Sequence, residues 1–199
     1  MPAFTSLEAV DPDAFFVPRG WQAFEFQEQA WAAYREGRSG LLHAPTGLGK
    51  TLAVWLGPVV DASGIHAHEK EPPCTVLWIT PLRALAQDTQ QSLQDPLDVF
   101  GLKWTVAMRT GDTSAYRRAK LRERLPFALV TTPESLSLML TYPDFRDKIA
   151  SLKSVIIDEW HELLGTKRGV QTELCLARMR AWLPELRIWG LSATLGNLD

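Results

Sequence analysis

Residues 44–51, Ala-Pro-Thr-Gly-Leu-Gly-Lys-Thr, place two glycines, a lysine and a threonine between one apolar run and another. A strand that ends in small residues and opens into a helix aims several backbone N–H groups into one concavity. The helix dipole adds positive potential there. Such a concavity suits a phosphate chain. Gly47 and Gly49 permit the tight turn, the loop from Thr46 through Leu48 supplies backbone, Lys50 brings a point charge to the outer phosphates, and the Thr51 hydroxyl is a ligand for Mg²⁺. The general pattern of this phosphate loop starts with glycine. Here Ala44 takes that place, and it is still small. A second chemical signal is Ser-Val-Ile-Ile-Asp-Glu-Trp-His at 154–161. β-Branched residues carry a strand into Asp158, where a carboxylate beside a phosphate loop holds Mg²⁺, and Glu159 is placed to orient or deprotonate water.

These residues need a scaffold that brings distant segments to one edge. Short apolar runs at 40–45, 75–80, 103–110, 127–132, 154–159 and 187–194 alternate with helical patterns at 25–36, 50–62, 82–100, 114–125, 133–140 and 170–183. That alternation predicts an α/β fold, a doubly wound, mostly parallel sheet with helices on both faces. One helix is expected to bend at Pro58 or Pro96, and 61–73 reads as a surface loop. Polar residues gather at the strand ends: Thr46 to Thr51, Thr80-Pro81, Thr110 to Asp112, Thr131 to Glu134, Asp158 to His161, and Ser192 to Thr194. Open parallel sheets bind ligands beyond the carboxyl ends of their strands, so one site is expected to draw on all of them.

The chain has 199 residues, 46% of them hydrophobic, which suits one well-packed domain. Its 21 basic and 23 acidic side chains give a net charge of −2, so any contact with nucleic acid must be local. Two cysteines, Cys74 and Cys175, make no disulfide framework, and no leader or membrane-spanning pattern is present. The expectation is a cytoplasmic protein.

In order along the chain stand A-P-T-G-L-G-K-T, I-T-P-L-R-A-L-A-Q-D, R-T-G-D-T-S, T-T-P-E-S-L, D-E-W-H and S-A-T. This series resembles motifs I, Ia, Ib, Ic, II and III of the superfamily 2 DExH helicases. Within them, "DEWHELLGTKRGVQTEL" followed by "WGLSATLGNL" is similar to the Lhr group, and Trp160 to its bacterial, ligase-associated Lhr-Core branch. The resemblance implies a single RecA-like ATP-binding domain over 1–199, with a Q-motif-like region in 1–38 and motifs I to III in 39–199. It further implies ATP and Mg²⁺ as cofactors, Lys50 on the β and γ phosphates, Thr51 and Asp158 on the metal, and Glu159 on the catalytic water. His161, Ser192 and Thr194 would couple the nucleotide to its surroundings. Gln27 resembles the glutamine that reads the adenine edge, with Trp21 or Phe24 stacking on the base. On propensity alone, Gln27 fits a solvated helix position and Trp21 fits core packing equally well.

In that family the partners are single-stranded DNA, with RNA or a hybrid as the alternative, and a second RecA-like domain that supplies arginine fingers. The implied role is a translocating motor in DNA repair, and this chain would be its first lobe. The rival class is a nucleotide-dependent binding switch without strand movement. Thr80-Pro81 and Thr132-Pro133 with Ser135 put hydroxyls and free N–H groups at strand-to-helix junctions, where a phosphate can be gripped without reading sequence. Arg83, Arg109, Thr110 and Gly111 complete the expected strand contacts.

Other features read more plainly. Five basic residues in 116–124 fit a solvated helix face, and His66 and His68 a solvated loop without metal. His43, Trp78, Trp104 and Trp189 read as core.

Overall fold

Strands covered on both faces must be apolar at consecutive positions, and three of the six strands here are fully buried along their length. The computed structural model describes residues 9–193. It begins with α1 (Asp13–Phe16) and α2 (Glu25–Arg35), and then alternates: β1 (Gly40–His43), α3 (Lys50–His66), β2 (Val76–Ile79), α4 (Ala86–Val99), β3 (Val106–Arg109), α5 (Ala115–Glu123), β4 (Ala128–Thr131), α6 (Pro133–Met139). After α7 (Phe145–Lys148) come β5 (Ser154–Ile157), α8 (Trp160–Leu163), α9 (Lys167–Trp182) and β6 (Arg187–Ser192). All pairings are parallel, in the order β1-β6-β5-β2-β4-β3.

The period of two along each strand sorts the core into two layers. Val76, Trp78, Ala128, Val130 and Ile156 face one cluster, built with Trp55, Leu93 and Phe127. Leu77, Ile79, Leu129, Val155 and Ile157 face the other, built with Leu136, Met139, Cys175 and Met179. Trp78, Trp104 and Trp189 are core as expected, whereas His43 on the edge strand β1 is half-buried. Both cysteines are free and buried, and burial pushes the Cys74 thiol up to about 12.

Three elements differ from the sequence reading. The segment 61–66 is the last turn and more of α3, not a loop, because Ser63 is held in place: its hydroxyl donates to Val60 O at 2.8 Å and accepts Val10 N–H at 2.9 Å. Pro58 and Pro96 lie within α3 and α4, the helices in which a bend is expected. After Asp158 the chain turns straight into the short α8, and α9 starts at Lys167, three residues earlier than its apolar pattern, because the Thr166 hydroxyl caps it by accepting Gly169 N–H.

Candidate nucleotide site and nucleic-acid interface

Because every strand runs the same way, all the polar clusters reach one edge of the sheet, and the strand order divides them. The phosphate loop follows β1, Ser192 ends β6, and Asp158-Glu159 follow β5. These are the three adjacent strands of one half. Thr80, Thr110 and Thr132 follow β2, β3 and β4, which form the other half.

In the first half, Gly47 (φ 87°) and Gly49 (φ 78°) both take the left-handed backbone that the turn requires. Ser114, Thr132 and Thr166 cap α5, α6 and α9 with their side chains, but no side chain caps α3 and no acidic residue sits in its first turn. Its leading N–H groups are therefore free to meet an anion. Lys50 Nζ donates to Ala44 O at 2.6 Å and Pro45 O at 3.1 Å, so the ammonium lies within the loop it serves.

Asp158 is doubly oriented: Oδ1 accepts Glu159 N–H at 3.0 Å, and Oδ2 accepts the indole N–H of Trp78 at 3.4 Å. Burial pushes the Asp158 carboxyl above its ordinary range and the adjacent Glu159 charge adds to this. The Trp78 bond, the Glu159 N–H and the Lys50 ammonium act the other way. Glu159 has φ 44° and ψ 49°, the one left-handed non-glycine backbone among the described residues. Its Oε2 is buried with no hydrogen-bond donor, since His161 Nδ1, at 3.5 Å, is an electrostatic neighbour at that length. His161 Nδ1 is also 3.3 Å from Ser192 Oγ, and Nε2 is 3.5 Å from Glu162 Oε1. His161 thus spans the segments after β5 and at the end of β6, and Thr194 lies outside the described residues.

This donor set fits Mg²⁺ carried with a nucleotide. Thr51 offers a hydroxyl and Asp158 a carboxylate, leaving the other positions to phosphate and water. Among the described residues no cluster of three or more His, Cys, Asp or Glu would hold a metal unaided.

Gln27 is 1% exposed, not a solvated helix position. Its Nε2 donates to Gly49 O at 3.0 Å and its Oε1 accepts Phe24 N–H at 2.9 Å, so it braces the phosphate loop against α2. Trp21 and Phe24 are 57% and 51% exposed, with Phe24 stacked on Phe26 and Trp21 edge-on to Phe15.

In the second half, the hydroxyls build the junctions. Thr80 Oγ1 accepts Leu82 N–H at 3.4 Å, Thr110 Oγ1 accepts Asp112 N–H at 3.4 Å, and Thr132 Oγ1 accepts Ser135 N–H at 3.4 Å, all three threonines being buried. Pro81, Pro133 and Ser135 are buried beside them. The groups presented to solvent are Arg83 and Gly111, with the Arg83 guanidinium lying over Gly111 and 3.8 Å from Asp112. Arg109 is placed differently from its neighbours. It is 4% exposed, its Nη2 donates to Tyr142 OH at 2.7 Å, and Tyr142 is sandwiched with Arg122 on its ring. It braces the β3 edge rather than standing open to a phosphate. The basic residues of α5 lie on a helix with no buried residue, and His66 pairs with Glu69 at 2.7 Å.

Trp78 on Asp158 and Arg168 on Glu134 are among the contacts that escaped the sequence reading. The first could have been found from parity, since Trp78 pairs with Ile156 and Asp158 is two residues on, had the adjacency of β2 and β5 been known.

The chain is 36% identical over 185 residues to the ATP-dependent helicase Lhr-Core of Methanothermobacter thermautotrophicus, an alignment covering 88% of this chain and 22% of the relative. It is 41% identical over 181 residues to the Lhr helicase/probable uracil glycosylase of Mycolicibacterium smegmatis, covering 85% of this chain and 12% of that one. The structure of Mycobacterium smegmatis helicase Lhr bound to ssDNA and AMP-PNP matches with a TM-score of 0.79 at 36% identity, over 92% of this chain and 24% of that chain. The chain therefore spans a quarter or less of the length of these relatives. The DEAD/DEAH box helicase profile matches residues 24–199, and with the uncapped phosphate loop set beside Asp158 and Glu159, the chain belongs to the DEAD/DEAH box helicase family.

Proposed function

We propose that this chain is the first motor lobe of a cytoplasmic, ATP-dependent DNA helicase that couples hydrolysis to movement on single-stranded DNA in DNA repair, working with a second RecA-like domain. The observation that carries the reading is the pairing of an uncapped helix start at Lys50 with a buried, donor-free carboxylate oxygen on Glu159, on the same sheet edge as the Thr80, Thr110 and Thr132 junctions. A relative of similar fold was solved with single-stranded DNA and a non-hydrolysable nucleotide, which supports the choice of ligands.

The chemistry follows from the groups present. The amides of 47–51 and the Lys50 ammonium bind the phosphate chain, exchanging the Ala44 and Pro45 carbonyl contacts for phosphate oxygens. Mg²⁺ on Thr51 and Asp158 would neutralise phosphate charge when bound. Glu159 Oε2 accepts a hydrogen bond from water and then its proton. The water oxygen bonds to the γ phosphorus, the bond from that phosphorus to the bridging oxygen breaks, and ADP and phosphate leave. Trp78 holds the Asp158 carboxylate in place meanwhile.

The test is steady-state ATPase of the full-length protein carrying this chain, with single-stranded DNA, single-stranded RNA or duplex. Stimulation greatest with single-stranded DNA is expected, as is a loss of at least about 10²-fold in turnover for Lys50→Ala and for Glu159→Gln, the latter with nucleotide still bound. Greater stimulation by RNA would favour an RNA helicase. Near-normal turnover by Glu159→Gln would overturn its assigned role.

A further inference from the structure

The β4–α6 junction and the Asp158–His161 segment stand on strands that are not neighbours, since β2 lies between β4 and β5. The helices that follow those strands nevertheless pack side by side on one face of the sheet, sharing the cluster of Leu136, Met139, Cys175 and Met179. At the head of that pair, Arg168 Nε donates to Glu134 Oε1 at 2.6 Å and Nη2 donates to Oε2 at 3.3 Å. Among the described residues it is the one ion pair between a segment after β4 and a segment after β5. Partial burial pushes the Glu134 carboxyl up, but the Arg168 bond, with the backbone and Thr132, outweighs it and holds the carboxyl below the usual range.

Both partners are fixed to places that matter. Glu134 sits in the first turn of α6, two residues past the Thr132 cap. Arg168 precedes Gly169, where an added Cβ would collide with the Leu163 carbonyl, so α9 presses on the last residue of α8. Thr166 ties the same joint, its hydroxyl donating to Leu163 O at 2.8 Å and accepting Gly169 N–H at 3.1 Å. The short α8 carries His161, which meets Ser192 and Glu159. A run of packed, hydrogen-bonded groups therefore leads from the β4–α6 junction to the Asp158–His161 segment.

We infer that Glu134 and Arg168 are positioning residues that pass engagement of a nucleic-acid backbone at the β4–α6 junction to the Asp158–His161 segment. This rests on the helicase reading above and adds to it the contact that would carry strand stimulation inside one lobe. The forked geometry suits the task, because two parallel bonds fix direction where a single charge would only attract. The side chains are 38% and 41% exposed, so solvent screening leaves the pair little role in static stability. Its value lies in transmitting displacement.

The experiment uses the full-length protein carrying this chain, with Glu134→Gln, Arg168→Lys and the double variant. The kcat and KM for ATP are measured with and without saturating single-stranded DNA, alongside DNA affinity. Basal turnover, DNA affinity and thermal midpoint are expected to stay close to wild type. The DNA-stimulated kcat should fall roughly 2- to 30-fold in each single variant, with the double no worse than either single, as for groups acting as a unit. Retained stimulation in the single variants, or losses that multiply in the double, would overturn the inference. So would an equal fall in basal and stimulated turnover, which marks a merely structural bond. A wild-type protein with no nucleic-acid stimulation at all would instead remove the helicase reading, and this inference with it.

Discussion

The left-handed backbone of Glu159 allows a test in which the sign alone decides. At φ 44° and ψ 49° an L-residue crowds its Cβ against the carbonyl, costing about 1–2 kcal/mol. Glycine escapes that cost but loses about 0.4–1 kcal/mol through its freer unfolded chain. Elsewhere in a structured segment, replacing alanine with glycine destabilises by about 0.5–1 kcal/mol. Here the balance reverses, and Glu159→Gly is expected to exceed Glu159→Ala in stability by about 0.5–1 kcal/mol, or roughly 2 °C in a domain of this length. Both variants lose the carboxylate and its repulsion with Asp158, so their difference isolates the backbone. Urea melts with matching m-values measure it, and both should be defective in ATP turnover. If the alanine variant is as stable as the glycine variant, the backbone at 159 carries no strain, and the idea that the fold spends stability to aim this carboxylate is wrong.

Two further outcomes follow from side chains at the boundary and at the exposed edge. Trp78→Phe removes the indole donor that opposes the burial-driven rise of the Asp158 carboxyl. A group that must be ionised then loses activity earlier on acidification, so the acid limb of the kcat/KM profile should move to higher pH, and an unmoved limb would refute the link. Arg83→Ala should weaken single-strand binding uniformly across sequences and lower the slope of log affinity against log salt by about 1; a sequence-dependent loss would mean that Arg83 reads bases rather than backbone.

The phosphate loop was legible because its chemistry is contiguous: eight neighbouring residues contain the turn, the charge and the hydroxyl. The strands were legible because burial on both faces leaves continuous apolar runs, and the parallel direction then put every polar cluster on one edge. What escaped depends on which strands adjoin. Trp78 and Asp158 are 80 residues apart, and nothing local states that β2 lies beside β5. Arg109 carries the charge of a phosphate grip, but Tyr142, 33 residues on, folds over it. Gln27 is polar on an amphipathic helix, and only the proximity of Gly49 explains its burial. The extra length of α3 likewise depends on Val10, which no pattern within 61–66 announces.

The order of the strands also bears on how far a signal must travel. If the nucleotide half and the junction half had been interleaved, each strand contact would sit against a nucleotide ligand, and binding one would crowd the other. With β1, β6 and β5 on one side and β2, β4 and β3 on the other, the two sets of polar groups occupy separate stretches of the edge and meet at a single boundary, between β5 and β2. Adjacent strands lie about 4.8 Å apart, so the Trp78 indole crosses that boundary in one step. Above the sheet, the packing of α6 on α9 brings the β4–α6 junction into the same short reach through Glu134 and Arg168. A chain of net charge −2 needs no long-range field to join the two sets of groups, because the topology puts them on adjacent strands at the β5–β2 boundary.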